Sequence, residues 1–348
     1  MSKRVTSKDI AELAGVSRTT VSFVLNNVPG MRIPEATRQR VLEAARQLNY
    51  HPDAAARSMA SGRTNVIGFV VRQSAEQAFA DHFLPQVLHG LAQAAAELGY
   101  RTLFEPIPPE RRHGVYMKLV RERHVDGIVL SGPRLDDQEL LRAYAEGAPI
   151  VLMGQLPNTG VPSVDVDNVG GAALATQHLI SLGHRRIGLI TNAPLVYTAS
   201  ADRLAGYRQA LAAAGIEYDE ALVRYGNFSP QGGQAAMTEL LALRERPTAV
   251  FVASDTVALG ALQAIRQHRL NVPRDIALVG FDDIPLVGFI DPPLTTIRLP
   301  AFELGWRAAE KLIHAITEGE GTASSNVILE TELIIRESCG ASLKRGTK

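Results

Sequence analysis

The sequence predicts a three-helix head followed by an α/β body built from two Rossmann-like lobes. Three observations predict it. Between residues 7 and 48, apolar groups recur at helical spacing, punctuated by Gly15 and by the loop Asn26-Asn27-Val28-Pro29-Gly30. From Val66 onward, strand-length apolar runs alternate with helical stretches, the pattern of parallel sheets covered on both faces. A chain of 348 residues holds two or three domains, and the alternation has too many units for one small sheet.

In the head, Ile10, Leu13 and Ala14 put apolar groups on one face of a first helix, with Ser7 as its cap and Asp9 in its first turn. Gly15 supplies the left-handed conformation that a sharp turn needs. Ser17 caps a second short helix whose inward face is Val21, Val24 and Leu25. Arg18, Thr19, Thr20, Ser22 and Phe23 lie between those apolar positions. Two short helices, a glycine turn and a polar outward face make a helix-turn-helix, whose second helix enters the DNA major groove with its N-terminal residues leading. A plain helical hairpin has the same spacing. Pro34 opens a third helix, in which Val41, Leu42, Ala45 and Leu48 close the core. Asn49-Tyr50-His51-Pro52 ends it, because the residue before proline avoids helical geometry.

Charge supports the same division. Residues 1–62 carry nine Lys and Arg side chains against five Asp and Glu, a surplus of +4 that the rest of the chain cancels to a net zero. Such asymmetry suits a nucleic-acid-binding head on a neutral-to-acidic body. Cys339 is the only cysteine, which excludes an internal disulfide framework and a cysteine-based zinc site. No apolar run of about 18 residues is present, and the N-terminal segment MSKRVTSKDIAE lacks a signal-peptide core. A cytoplasmic protein is expected, with no cofactor and no metal.

Asp53–Ala60 has a cap residue and strong helix formers but almost nothing to bury, so by itself it is too short for a stable helix. It is either a linker or a helix that forms against a partner. Beyond it, strands are expected at 66–71, 101–104, 126–131, 149–153, 186–191, 222–226, 248–253 and 276–281. Helices are expected at 83–98, 110–123, 135–146, 169–182, 202–214, 230–243, 256–268 and 301–317. Ligands of such sheets bind outside the carboxyl ends of the strands, here between the two lobes.

Several motifs, in order, resemble the LacI/GalR family of bacterial transcription regulators: DIAELAGVSRTTVSFVLNN, ATRQRV, LNYHPDAAARSMASG, NVIGFVV, VDGIVLSGP, LGHRRIGLI, DRLAGYRQAL, PTAVFVASDTVALGAL, VPRDIALVGFDD and PPLTTIRLP. The resemblance covers nearly the whole chain. It implies a helix-turn-helix domain over 1–52, a hinge helix and linker over 53–64, and an effector-binding body over 65–341 that resembles a type I periplasmic binding protein. The chain would cross between lobes near 163, 293 and 326, giving an N-lobe of 65–163 and 294–326 and a C-lobe of 164–293 and 327–341. Arg18 and Thr19 match the family's major-groove reading positions. Thr20 and Ser22 match phosphate or base-edge contacts, and Thr6, Asn26, Thr37 and Tyr50 match backbone contacts. Ser7, Ser17, Arg32 and Ala56 complete the DNA-facing set. Phe23 departs from the arginine most often found there; it suits a thymine methyl, or packs against the hinge. Met59 stands where the family usually has leucine. It would be the apolar wedge that paired hinge helices push into the minor groove of a palindromic operator.

For the body, the resemblance assigns Arg203 to effector oxygens, Asp282 to sugar hydroxyls and Phe228 to stacking on the ligand. Ser254, in place of the usual asparagine, Tyr197 and Phe83 would line the cleft. Asp255 is read as a helix cap. Each has a structural alternative, since a lone charge is usually solvated and a phenylalanine usually core. Two departures bear on the effector. Gly154 replaces a frequent aspartate, and the loop from Arg72 to His82 is longer than usual and would hang over the N-lobe side of the cleft. Tyr197 also replaces the arginine of the purine-sensing branch, so a sugar or sugar derivative is the expected effector. The expected function is therefore an effector-gated, homodimeric repressor. A solute-binding protein would need an export signal and would leave residues 1–60 unexplained. An enzyme would need chemistry that is missing here: there is no GxxxxGK[ST] loop and no G-x-S-x-G elbow, and His178 and His184 read as structural.

Overall fold

The computed structural model describes residues 5–25, 30–50, 62–111, 114–319 and 326–341. It divides into two compact units, Met1–Asn65 and Val66–Lys348. Asn26, Ala56, Met59 and the expected hinge helix lie outside the described residues.

The first unit is a three-helix head: α1 Ser7–Ala14, α2 Arg18–Leu25 and α3 Glu35–Gln47. Its core is Ile10, Ala11, Ala14, Val21, Val24, Val41, Ala44 and Ala45. Two readings of α1 need correction. The cap is Thr6 rather than Ser7: the Asp9 carboxylate accepts from the Thr6 backbone N–H (2.7 Å) and from the Thr6 hydroxyl (2.6 Å), reaching back over the first turn. Leu13 is half exposed and Ala11 takes the inward place, because 100° per residue carries position 13 to the edge of the buried stripe. Gly15 adopts φ 65°, and its N–H donates back to Glu12 O. Ser17 caps α2 as expected, its hydroxyl accepting from Thr20 N at 3.1 Å.

The second unit holds two six-stranded sheets. Strands β1 Val66–Val71, β2 Arg101–Pro106, β3 Gly127–Ser131, β4 Ile150–Met153, β5 Ser163–Val166 and β11 Val327–Leu329 form the first, in the order β11-β5-β4-β3-β1-β2, all parallel. Strands β6 Ile187–Thr191, β7 Val223–Tyr225, β8 Ala249–Val252, β9 Ala277–Asp282, β10 Thr295–Arg298 and β12 Glu332–Ile334 form the second, in the order β12-β10-β9-β8-β6-β7. Only β12 runs antiparallel, against β10. Helices α4 Ala75–Ala80, α5 Leu84–Glu97, α6 Val115–Arg121, α7 Gln138–Ala145 and α12 Ala301–Glu318 belong to the first lobe. Helices α8 Asn168–Ser181, α9 Thr198–Ala213, α10 Pro230–Leu241 and α11 Asp255–Gln267 belong to the second.

Sheet membership moves all three lobe boundaries. β5 and β11 pair within the first sheet, so the chain leaves that sheet after Val166 and again after Leu329, rather than near 163 and 326. β10 pairs with β9, so the second crossing follows Arg298 rather than 293. The strands that shifted the boundaries are three or four residues long, too short to show periodicity in sequence. The stretch from Arg72 to His82 is not a plain loop: it contains α4, whose cap Ser74 accepts from Gln77 N at 3.2 Å while Gln77 reaches back to Ser74 N at 3.0 Å.

Helix pairs in both lobes meet through glycine. A Cβ on Gly90 of α5 would collide with the Phe302 carbonyl of α12, one on Gly206 of α9 with the Val169 carbonyl of α8, and one on Gly260 of α11 with the Pro230 carbonyl of α10. The obstacle is backbone in each case, so it cannot rotate aside. Gly90→Ala should therefore destabilise the body by about 3 kcal/mol, the upper part of the range for overpacking. Thermal unfolding followed by circular dichroism measures it, and an unchanged midpoint would mean that α5 and α12 part freely.

Candidate functional site: the recognition helix and the interlobe cleft

Within the head, α2 presents the expected surface. Arg18 and Thr19 are exposed in its first turn, with Ser17 just ahead of them. Thr20, Ser22 and Phe23 are half buried, and the Ser17 and Thr20 hydroxyls lie 2.9 Å apart. Thr6 and Arg32 are exposed, while Ser7, Thr37 and Tyr50 are half buried; Tyr50 packs on the head core. A guanidinium and a hydroxyl at the leading end of a helix suit base edges and phosphates alike.

In the body, a cleft opens where the carboxyl ends of the two sheets face each other. Gln73 follows β1, Ser131 and Met153 end β3 and β4, and Asp165 and Val166 end β5. From the other lobe come Asn192 after β6, Phe228 after β7, Ser254 after β8 and Asp282 at the end of β9. Arg203, Phe83 and Asp81 complete the polar and aromatic lining. The cleft volume is about 90 Å³. That is well below the 300–1,000 Å³ of pockets for drug-sized ligands.

Arg203 is the centre of the site, and it sits on helix α9, inside the helix expected over 202–214. It is 7 % exposed. Its Nε donates to Asn168 Oδ1 (2.9 Å) and its Nη1 to the Ala253 carbonyl (2.7 Å), with Asp282 Oδ1 at 3.9 Å from Nη1. The guanidinium also lies over the Phe281 ring, 3.8 Å from its centroid. Burial lowers its pKa, and the carboxylates of Asp282, Asp165, Asp202 and Asp81 act against that.

Asp282 has the backbone conformation φ 122°, a strained geometry typical of functional positions. Burial raises its pKa; Arg203 counteracts this, Asp81 adds to it, and hydrogen bonds from Asp255 N and Ser254 favour the ionised form. Asp165 is pushed up to about 6 by burial, against hydrogen bonds from Val166 N and the field of Arg203. Phe228 is also left-handed, at φ 56°, and lines the cleft as expected, as do Ser254 and Phe83.

Two expectations fail. Tyr197 does not line the cleft. It is buried beneath it, its hydroxyl donating to the Arg72 carbonyl (2.6 Å), its ring edge-on to Phe228 (5.0 Å) and covered by Arg134 (5.0 Å). It therefore ties the lobes together, with Leu135 N to Val196 O (2.8 Å) and Thr198 N to Pro133 O (3.2 Å). Asp255 is not a cap either. It is fully buried at the start of α11 and accepts from Ile284 N (3.0 Å) and the Thr296 hydroxyl (2.7 Å), joining that helix to β9 and β10. Sequence reading missed Gln73, Asp81, Asp165, Asn168 and Asn192. The extended stretch does overhang the cleft, since Asp81 and Gln73 come from it and Gln77 Nε2 donates across to Asn227 O (3.2 Å). Gly154 has φ 109°, and a Cβ there would crowd the Pro133 ring at 2.8 Å, so no carboxylate fits at that position. Among the described residues, no group of three His, Cys, Asp or Glu is placed to hold a metal ion, and no helix is long and apolar enough to cross a membrane.

Comparison with known proteins agrees with this division. Residues 6–53 match the family described as bacterial regulatory proteins, lacI family, and residues 176–339 match a periplasmic binding protein-like domain. The HTH-type transcriptional regulator CelR of Thermobifida fusca is 39% identical over 339 residues, covering 97% of this chain and 98% of its own. A solved CelR–cellobiose complex superposes with a TM-score of 0.72 at 37% identity, over 96% of this chain and 100% of that one. The lac repressor dimer bound to operator and the anti-inducer ONPF superposes with a TM-score of 0.82 at 28% identity, over 97% and 99% of the two chains. With head and two-lobed body matched in the same order over almost the full length, the chain belongs to the LacI family of bacterial transcriptional regulators.

Proposed function

We infer that this regulator is a cytoplasmic homodimeric repressor. It binds a palindromic operator through α2, and a small molecule held between its two lobes controls that binding. The observation that carries the reading is the pairing, in one chain, of an exposed Arg18–Thr19 helix start with a cleft into which Arg203, Asp282, Asp165 and Asp81 converge. A cleft of convergent polar groups and an aromatic ring suits a sugar or sugar derivative. The CelR relative, solved with cellobiose, supports the same class. A ligand touching both lobes fixes the angle between them, and by linkage the operator must alter ligand affinity by the same factor, typically about 1–3 kcal/mol. Residues 53–60 would act as the hinge, with Met59 at the minor groove, Ala56 facing the DNA and Asn26 at the DNA backbone.

The direct test of the regulator reading is a gel shift on genomic fragments, with a thermal-shift screen against sugars, sugar phosphates and nucleosides alongside it. A ligand at 100 times its dissociation constant stabilises the body by about 2.7 kcal/mol. Arg18→Ala should weaken operator binding by about 1–3 kcal/mol and relax preference at one base position. An equal loss on random DNA would make Arg18 a phosphate contact.

Two half-sites about one helical turn apart require two heads, so light scattering should report a dimer; a monomer at micromolar concentration would sink that assignment. Arg203 also anchors Asn168 and Ala253, so the coupling test uses Asp282→Asn, which keeps an acceptor for Asp255 N. That variant should still bind operator but lose its response to the ligand found in the screen. A full response at unchanged ligand concentration would place the effector elsewhere.

A further inference from the structure

A second pocket lies between the lobes, at the edge of the body where the chain crosses from one sheet to the other. Leu135 after β3 and Ile328 of the edge strand β11 face it from the first lobe. Val169 of α8 and the first turns of α9 face it from the second. Val166 and Asn168 flank the crossing at 167 and line both this pocket and the cleft, so that segment is a wall between the two spaces. The pocket has a volume of about 450 Å³, against about 90 Å³ for the cleft. It falls inside the range of small-molecule sites.

Its chemistry differs from that of the cleft. Leu135 and Ile328 are large apolar side chains left 54 % and 47 % exposed. Among the described residues, the only ionisable side chains of the lining are Asp167 and Asp202. Asp167 uses one oxygen to cap α8, accepting from Gly170 N at 2.7 Å. Asp202 is half buried; burial raises its pKa, and Arg203 acts against that. Thr198, the first residue of α9, is 5 % exposed, and its hydroxyl has no hydrogen-bond partner. A buried polar group in that state wants a partner that the chain does not supply. Thr198, Ala201 and Asp202 are spaced three and four residues apart, so they share one face of α9. An anion would meet like charge on that face, whereas an ammonium group brings three donors to it.

We propose that this pocket is a second small-molecule site, separate from the cleft, and that it takes an amine with an apolar body. The ammonium group sits at the Asp202 carboxylate and the Thr198 hydroxyl, and the body lies against Leu135, Val169 and Ile328. The site stands whatever molecule the cleft itself takes.

The test is a titration of the full-length protein, followed by saturation-transfer NMR, with three probes of one shape: phenethylamine, phenethyl alcohol and phenylacetate. The amine should saturate below about 10 mM, the affinity expected of so small a ligand. It should bind about tenfold more tightly than the alcohol, because its hydrogen bond to the carboxylate is charged on both sides. Phenylacetate should not bind. Hydrogen exchange with the amine present should slow at 155–157 and 198–202, and not at 73–83 or 226–229, which border the cleft. Asp202→Asn should weaken the amine by about tenfold. Ala201→Phe should fill the pocket and abolish binding. Circular dichroism confirms that each variant folds, and Asp202→Asn together with the exchange map decides the matter if the phenylalanine variant does not. No binding of the amine, an alcohol or carboxylate bound as tightly, protection confined to the cleft, or unchanged affinity in Asp202→Asn would each overturn the proposal.

Discussion

One buried guanidinium organises the second lobe. Arg203 reaches from α9 to Asn168 at the start of α8 and to the carbonyl that follows β8, and it lies on the ring of Phe281 in β9. Stripped of water, it is tolerable only because acceptors and carboxylates surround it, and those carboxylates are tolerable only because of it. Breaking such an arrangement at one partner typically costs about 3–5 kcal/mol. The atoms that line the cleft are therefore the same atoms that hold the lobe together. The polar network of the cleft is already assembled by the fold.

Much of the fold was readable because it follows from local rules. Gly15 had to turn left-handed, Ser17 had the right place to cap α2, and the apolar runs at Val66 and Ile187 were long enough to be strands. What escaped notice was decided by distant neighbours. β5, with Ser163 and Asp165 inside it, is polar by composition and becomes a strand because β4 and β11 flank it. Ser7 and Thr6 are equally good caps on paper, and the choice was made by the reach of Asp9.

The site was legible where the family pattern reached it and opaque elsewhere. Arg203, Asp282, Phe228, Ser254 and Phe83 all come to the cleft. Tyr197 was placed there by proximity to Arg203 along the chain, yet its hydroxyl finds the Arg72 carbonyl and the ring is buried in the joint between lobes. Asp81 carries no local signal. Only the folded path of α4 brings its carboxylate into the cleft with Asp282.

The glycine contacts between helices have a mechanical consequence. Where α5 meets α12, α8 meets α9 and α10 meets α11, main chain rests on main chain at a glycine in each pair. Sliding one helix along its neighbour would drive a Cα out of its seat, so shear within a lobe is blocked. The chain crosses between the two sheets in short segments at 167, 299–300 and 330–331, and rotation of one lobe against the other falls there. The coordinate left between two such lobes is the opening angle of the cleft.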